Sequence, residues 1–423
     1  MFTPHTLNNG TRVFLAPQHD TQAVTVLALF PVGSRYETAA LNGASHFIEH
    51  MAFKGTARRP TTLDISRDLD RIGAEYNAFT GKDYTGYYIK ANAGHLDLAL
   101  DVLADICFHP KFVAEEVERE RRVILEEIHL YEDNPSMRLD DLFEELIFRG
   151  HPLGRLISGT RETVNALKRP ALLAYRDRFY RSDCCVLAVA GAIEDDVLDR
   201  IRGAFGAVPA RPRRRGLTSQ PFRRRPRGPI VQIHQKETAQ AHVAIGVPAY
   251  TADNPRQYPL AILANVLGGT MSSRLWIAVR ERRALAYSVR ASADAYADTG
   301  YFAVTAGVDP SRFMEAIRVI IGELSRVCKR GITAEELSRA QENIEGRIIL
   351  GLEESSARAD WYGRQALLRK EILTPAEKIA RLKSVDRTAV LRVAQEILRT
   401  DRLHLAVIGP YQDGAEFKRL LKI

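Results

Sequence analysis

The chain has 423 residues, 45% of them hydrophobic and 26% charged, with a formal net charge of +8. Those proportions exclude a disordered or fibrous chain, and the length calls for two or three domains in place of one core. No run approaches the roughly 18 apolar residues that span a bilayer, so no membrane insertion is expected.

In chain order, the N-terminal "MFTPHTLNNGTRVFLAP" lacks a basic stretch leading into an apolar one. No signal peptide is expected there, which points to the cytoplasm, or to the periplasm if a signal has been removed. "TQAVTVLALFPVGS" reads as a strand, followed by a helix in "NGASHFIEHMAFKG". Asn42 is placed to cap that helix and Gly55 to end it. "AEYNAFTGKDYTGYYIKA" reads as two strands around a turn at Gly81-Lys82-Asp83. Helical patterns follow in "HLDLALDVLADICF" and "EEVERERRVILEEIHLYED". "RPRRRGLTSQPFRRRPRG" (211–228) then interrupts the chain near its middle. It carries part of the positive charge but few aromatic residues to stack on bases, so a linker is expected there and no nucleic-acid partner.

Beyond it the same order recurs. "QAHVAIGVPAY" is a strand, "YPLAILANVLGG" a helix, and "YSVRASADAYADTGYFAVTAGV" a hairpin. "RFMEAIRVIIGELSRVCKRG" and "AEELSRAQENIEGRIILGL" are helices. Residues 164–192 and 379–410 also match, each running from Leu-Lys through an amphipathic helix to a strand that ends at Gly. An internal duplication follows. The expected fold is α+β: two duplicated domains, each a mostly antiparallel β-sheet packed with α-helices. The expected bounds are 1–212, a linker at 213–228, and 229–423. The four cysteines, Cys107, Cys184, Cys185 and Cys328, form no C-x-x-C pair and read as free thiols in a reducing compartment.

Histidine is scarce, 11 in the whole chain, yet "HFIEH" places two of them four apart. On a helix, His46 and His50 lie about 40° apart on one face. Glu49 stands beside them, while Phe47, Ile48 and Met51 turn toward a core. Zinc takes imidazole nitrogen, and a catalytic zinc needs a third protein ligand. The helix 118–133 can supply it. With Val117 at the origin and about 100° per residue, Ile124, Ile128 and Tyr131 define a buried stripe. Glu120 and Glu127 fall together at the edge of that stripe, and Glu126 faces solvent. Two histidines and a glutamate make the His₂Glu set of a catalytic zinc, and Glu127 is a better candidate than Glu126 for the third ligand, with Glu120 on the same side.

The inverted order H-x-x-E-H resembles the pitrilysin/insulinase family of zinc peptidases, with its short bacterial branch similar to mitochondrial processing peptidase nearest in length. "GASHFIEHMAFKGT" is similar to the family's metal helix. "ERRVILEEI" is similar to its acidic helix, in which a Glu-x₆-Glu pair, here Glu120 and Glu127, ends in the third ligand. "NAFTGKDYTGYY" resembles the strand whose edge holds peptide, and "GGTMSSRLWIAVRERRALAYSV" a second-half segment with Arg280 and Tyr287 seven apart. One departure is Ala284, where the family usually has Gly.

The resemblance implies a zinc endopeptidase acting on unfolded or presequence-like peptides inside a closed chamber, with one Zn²⁺ per chain. Glu49 is implied as the catalytic acid–base group, Glu120 as a support for the ligand set, and Asn77 and Ala78 as the peptide-binding edge. Arg280 and Tyr287 are implied to hold the substrate carbonyl. The longer relatives join two such halves, so this chain is expected to form a homodimer, a related second subunit being the alternative. Some relatives keep the fold and lose the metal residues; a non-catalytic subunit of a processing complex is therefore the rival reading.

Overall fold

The computed structural model describes residues 2–210, 220–223 and 228–423. Among the described residues eleven strands form two sheets. The first contains β1 (Thr3–Thr6), β2 (Arg12–Pro17), β3 (Ala23–Phe30), β4 (Glu75–Thr80), β5 (Thr85–Asn92) and β6 (Val186–Gly191). Its order is β1-β2-β6-β3-β5-β4. The second contains β7 (Ile230–Gln235), β8 (Ala241–Ala249), β9 (Ala286–Ala295), β10 (Gly300–Val308) and β11 (His404–Gly409). Its order is β7-β11-β8-β10-β9.

With β1 set aside, the two orders are the same. Each sheet has one parallel pair, β2 with β6 and β7 with β11, and is otherwise antiparallel. The duplicated α+β fold expected from the sequence is the fold observed.

The β3 sequence AVTVLALF does not alternate polar and apolar residues, and Val24–Phe30 is buried throughout. A strand of that kind needs cover on both faces. Val24, Val26, Ala28 and Phe30 pack with Phe47, Met51 and Leu103, from helices Ala44–Ala52 and Leu96–Phe108. Leu27 and Leu29 face the other way, onto Ala359, Tyr362 and Ala366 of helix Ser355–Leu368. In the second sheet Ala244, Ala303, Ala406 and Ile408 meet Leu139, Leu142, Phe143 and Leu146 of helix Pro135–Ile147.

This corrects the expected domain bounds. The compact units are not the contiguous spans 1–212 and 229–423. The first comprises Met1–His129, Arg155–Gln220 and Ile349–Thr374, and the second Leu130–Gly154, Pro221–Ile348 and Pro375–Ile423. Each sheet takes the helix for its second face from the opposite half of the sequence. The exchange follows from strands that are apolar on both faces. Most of the linker expected at 213–228, namely 213–219 and 224–227, lies outside the described residues.

Among the described residues no helix is long and apolar enough to cross a membrane. The four cysteines are free thiols.

Candidate metal centre

The helix that carries HFIEH runs Ala44–Ala52, shorter at both ends than the expected span. Asn42 does not cap it. Gly43 stands at the N-cap with φ 95°, in the left-handed region where a side chain costs most. The Glu37 carboxylate does the capping from outside the helix, accepting from Gly43 N at 2.8 Å and Ser45 N at 2.7 Å. Asn42 instead donates to Glu37 and to the Leu156 carbonyl. Phe47, Ile48 and Met51 are buried, so the opposite face presents His46 and His50.

His46 Nε2 and His50 Nε2 lie 3.2 Å apart. Glu127 Oε2, on helix Ala114–Asp133, is 3.6 Å from the first and 3.5 Å from the second. A tetrahedral ion with zinc–ligand distances of about 2.0–2.2 Å has ligand–ligand edges of about 3.3–3.6 Å. The triangle is close to those dimensions, and its corners are two imidazole nitrogens and a carboxylate oxygen, so this donor set fits zinc. Among the described residues it is the one cluster of this composition that converges closely enough to hold an ion.

Glu120 is 3% exposed. Its Oε1 accepts from His50 Nδ1 at 2.8 Å, and its Oε2 pairs with Lys54 Nζ at 2.7 Å. The hydrogen bond to Nδ1 fixes the tautomer that leaves Nε2 directed at the site. His46 Nδ1 is buried and has no such support among the described residues. In the metal-free protein, burial opposes charge on His50, but the hydrogen bonds to Glu120 and Glu127 outweigh it and push the ring up to about 9. Burial, reinforced by the His50 charge, pushes His46 down to about 4. Burial raises the Glu49 carboxyl; the Thr80 hydroxyl, which donates to Glu49 Oε2, offsets part of that rise.

Asn77 and Ala78 lie in β4, at the open edge of the first sheet. The Asn77 side-chain oxygen accepts from Ala78 N at 2.8 Å. Arg280 and Tyr287 belong to the second unit. The Arg280 guanidinium stacks 4.2 Å above the Trp276 ring and 5.0 Å from that of Tyr287. Tyr287 is 76% exposed on β9, an edge strand of its own sheet. Ala284, just before that strand, is held at φ 48°, a left-handed conformation in which glycine is the easier residue.

The structure therefore gathers His46, His50 and Glu127 around one point, sets Glu120 behind His50 and Glu49 within electrostatic reach of His50 and Glu127, and pairs Arg280 with Tyr287. Lys54, Thr80 and Trp276 were not anticipated. Trp276 had a signal, four residues before Arg280 on a helical turn. Lys54 lies past the helix end, and Thr80 meets Glu49 across 31 residues of chain.

Comparison with known proteins agrees with this geometry. Residues 12–161 match the model of the insulinase family, peptidase family M16, and residues 166–344 match the M16 inactive domain. Uncharacterized zinc protease YmxG of Bacillus subtilis is 36% identical over 97% of this chain and 98% of its own length. An uncharacterized zinc protease of Streptomyces coelicolor is 38% identical over 96% of this chain and 89% of its own. Among solved structures, a protease from Helicobacter pylori superposes with a TM-score of 0.91 at 22% identity, covering 97% of this chain and 99% of that one. An M16 inactive domain from Pseudomonas fluorescens gives 0.89 at 17%, covering 97% and 98%. These two structural likenesses show the fold alone. The sequence relatives span both units at 36% and 38% identity, and the chain belongs to the insulinase family of peptidases, M16.

Proposed function

We propose that this protein is a zinc-dependent endopeptidase that hydrolyses unfolded or presequence-like peptides, bound as an added β-strand inside a closed chamber. The observation that carries the reading is the triangle of His46 Nε2, His50 Nε2 and Glu127 Oε2, with Glu49 one residue from a ligand and within electrostatic reach of His50 and Glu127. His46, His50 and Glu127 hold one zinc. Bound there, zinc supplies Lewis acidity toward the scissile carbonyl and the attacking water. Glu49 takes the water proton and hands it to the leaving amine, a task suited to a carboxyl raised by burial. Glu120 holds the His50 ring in orientation, with Lys54 balancing its charge.

The open edge of β4 around Asn77 and Ala78 receives the peptide through backbone hydrogen bonds. An extended strand tolerates many side chains, so the requirement is an unfolded backbone and not one sequence. Arg280 and Tyr287 bind the substrate carbonyl. In the homodimer we propose, each site combines the zinc ligands of one chain with the Arg280–Tyr287 pair of its partner.

The test is hydrolysis of a quenched peptide library by the purified chain, with chelator and after zinc is restored. Cleavage of flexible peptides that chelator abolishes and zinc restores is the expected result. A stable folded domain should survive the same treatment. A chain that binds zinc but cleaves only after a different subunit is added would point to the partner-dependent reading, and cleavage unaffected by chelator would remove the metal from the chemistry.

A further inference from the structure

We propose that Thr80 is a positioning residue that holds Glu49 through the strand on which the peptide adds. This rests on the reading of Glu49 as the proton-transfer group. Thr80 is the last residue of β4 and stands opposite Thr85 of β5. Its hydroxyl donates to Glu49 Oε2 and, among the described residues, is the hydrogen bond that the Glu49 carboxylate accepts. Oε1 is left for the proton of the attacking water.

Thr80 itself sits on an anchored turn. Gly81 N donates to Tyr84 O at 2.8 Å and closes the hairpin. The chain that follows β3 clamps that turn: Ser34 N donates to Gly81 O at 3.2 Å, and Arg35 N to Lys82 O at 3.1 Å. The side chains of Arg35 and Asp83 pair at 2.7 Å, with 0% and 5% of their surface exposed. At Gly33 a Cβ would stand 2.2 Å from Gly81 O, so the close approach requires glycine. The residue after Thr80 is therefore pinned from both sides, and the hydroxyl has a fixed origin. One rigid strand then sets both the backbone that receives the peptide and the oxygen that holds the base. A misplacement of about 1 Å can cost on the order of a hundredfold in rate, so this coupling bears directly on turnover.

The test is a cycle of Thr80→Val, which removes the hydroxyl and keeps the branched shape, Thr80→Ser, which keeps the hydroxyl, and Glu49→Gln. We expect Thr80→Val to lower kcat by about 10- to 100-fold, with KM and bound zinc unchanged, and Thr80→Ser to recover most of the rate. In the Glu49→Gln background, Thr80→Val should cause no further loss. A raised KM with kcat intact would assign Thr80 to the strand edge and overturn the proposal, as would full independent losses in the double variant or a wild-type kcat in Thr80→Val. A readout independent of turnover is the rotamer of Glu49 in the metal-free protein, followed by carboxyl-labelled NMR. Thr80→Val should populate a second rotamer, and a Glu49 side chain unchanged by the substitution overturns the proposal. If Glu49→Gln remains active, the acid–base reading fails by itself, and the rotamer measurement still decides whether Thr80 holds Glu49.

Discussion

Glu120 accepts a hydrogen bond from His50 Nδ1 at 2.8 Å, on the side of the ring away from Glu127. The buried carboxylate is itself met by Lys54. The relay from Lys54 through Glu120 orients the ring so that Nε2, and not Nδ1, meets the ligand triangle. Glu120→Gln should leave the fold intact and weaken zinc binding by about 10- to 100-fold. His50→Ala should abolish the roughly one zinc per chain that this donor set predicts. Metal analysis and competition with a chromophoric chelator measure both, and zinc affinity unchanged in Glu120→Gln would deny Glu120 its supporting part.

The His50 ring makes zinc uptake a proton-coupled event. In the metal-free fold its pKa is raised from 6.5 to about 9. The folded state therefore binds more protons than the unfolded state between those values. This stabilisation is fully present below pH 6.5 and is lost as the pH rises through about 9. Zinc must displace the same proton. Its affinity should rise with pH across that window, approaching tenfold per unit, with close to one proton released per ion near neutrality. Titration in weak buffer counts the protons, and a flat profile would contradict the shift.

Glu49→Gln should keep the metal and lose hydrolysis by about 10²- to 10⁴-fold. The amide preserves the shape of the side chain and still accepts from Thr80, but cannot take a proton from water. Zinc content and kcat are measured on one preparation. Retained turnover with zinc bound would assign the proton transfer to another group.

The Arg35–Asp83 pair should matter to stability more than most charged contacts. Both side chains are buried, so Arg35→Met removes a charged partner from a buried carboxylate. The expected loss is about 3–5 kcal/mol. Joint replacement by Arg35→Met and Asp83→Leu should recover part of it, because the buried pair is then replaced by apolar side chains. Denaturant unfolding of the metal-free chain gives both values, and an Arg35→Met variant as stable as wild type would show that the pair contributes no such stability.

A shared active site is testable by complementation. His46→Ala lacks a ligand, and Arg280→Ala with Tyr287→Phe lacks the clamp. Each should be inactive alone. Mixed under conditions that exchange subunits, about a quarter of all sites should recover, by two-fold counting over hybrid dimers. Subunit exchange without recovery would confine Arg280 and Tyr287 to their own chain.

What is local and periodic can be read from the order of residues. His46 and His50 fall on one helical face because they are four apart, and Glu120 and Glu127 share another face because they are seven apart. The repeated order of strands and helices was legible for the same reason: apolar spacing reports how each segment buries itself against something. It does not report against what. That helix Ser355–Leu368 covers the first sheet and helix Pro135–Ile147 the second emerges only from the packed chain. An apolar stripe carries no address, and a strand like β3 with two apolar faces accepts whichever helix the chain path delivers. Lys54 and Thr80 were hidden likewise. One extends past its helix to a carboxylate on another helix, and the other reaches Glu49 only because a hairpin turn is clamped at Gly33–Arg35. Such contacts depend on where distant backbones meet, and that position is set by packing over the whole unit.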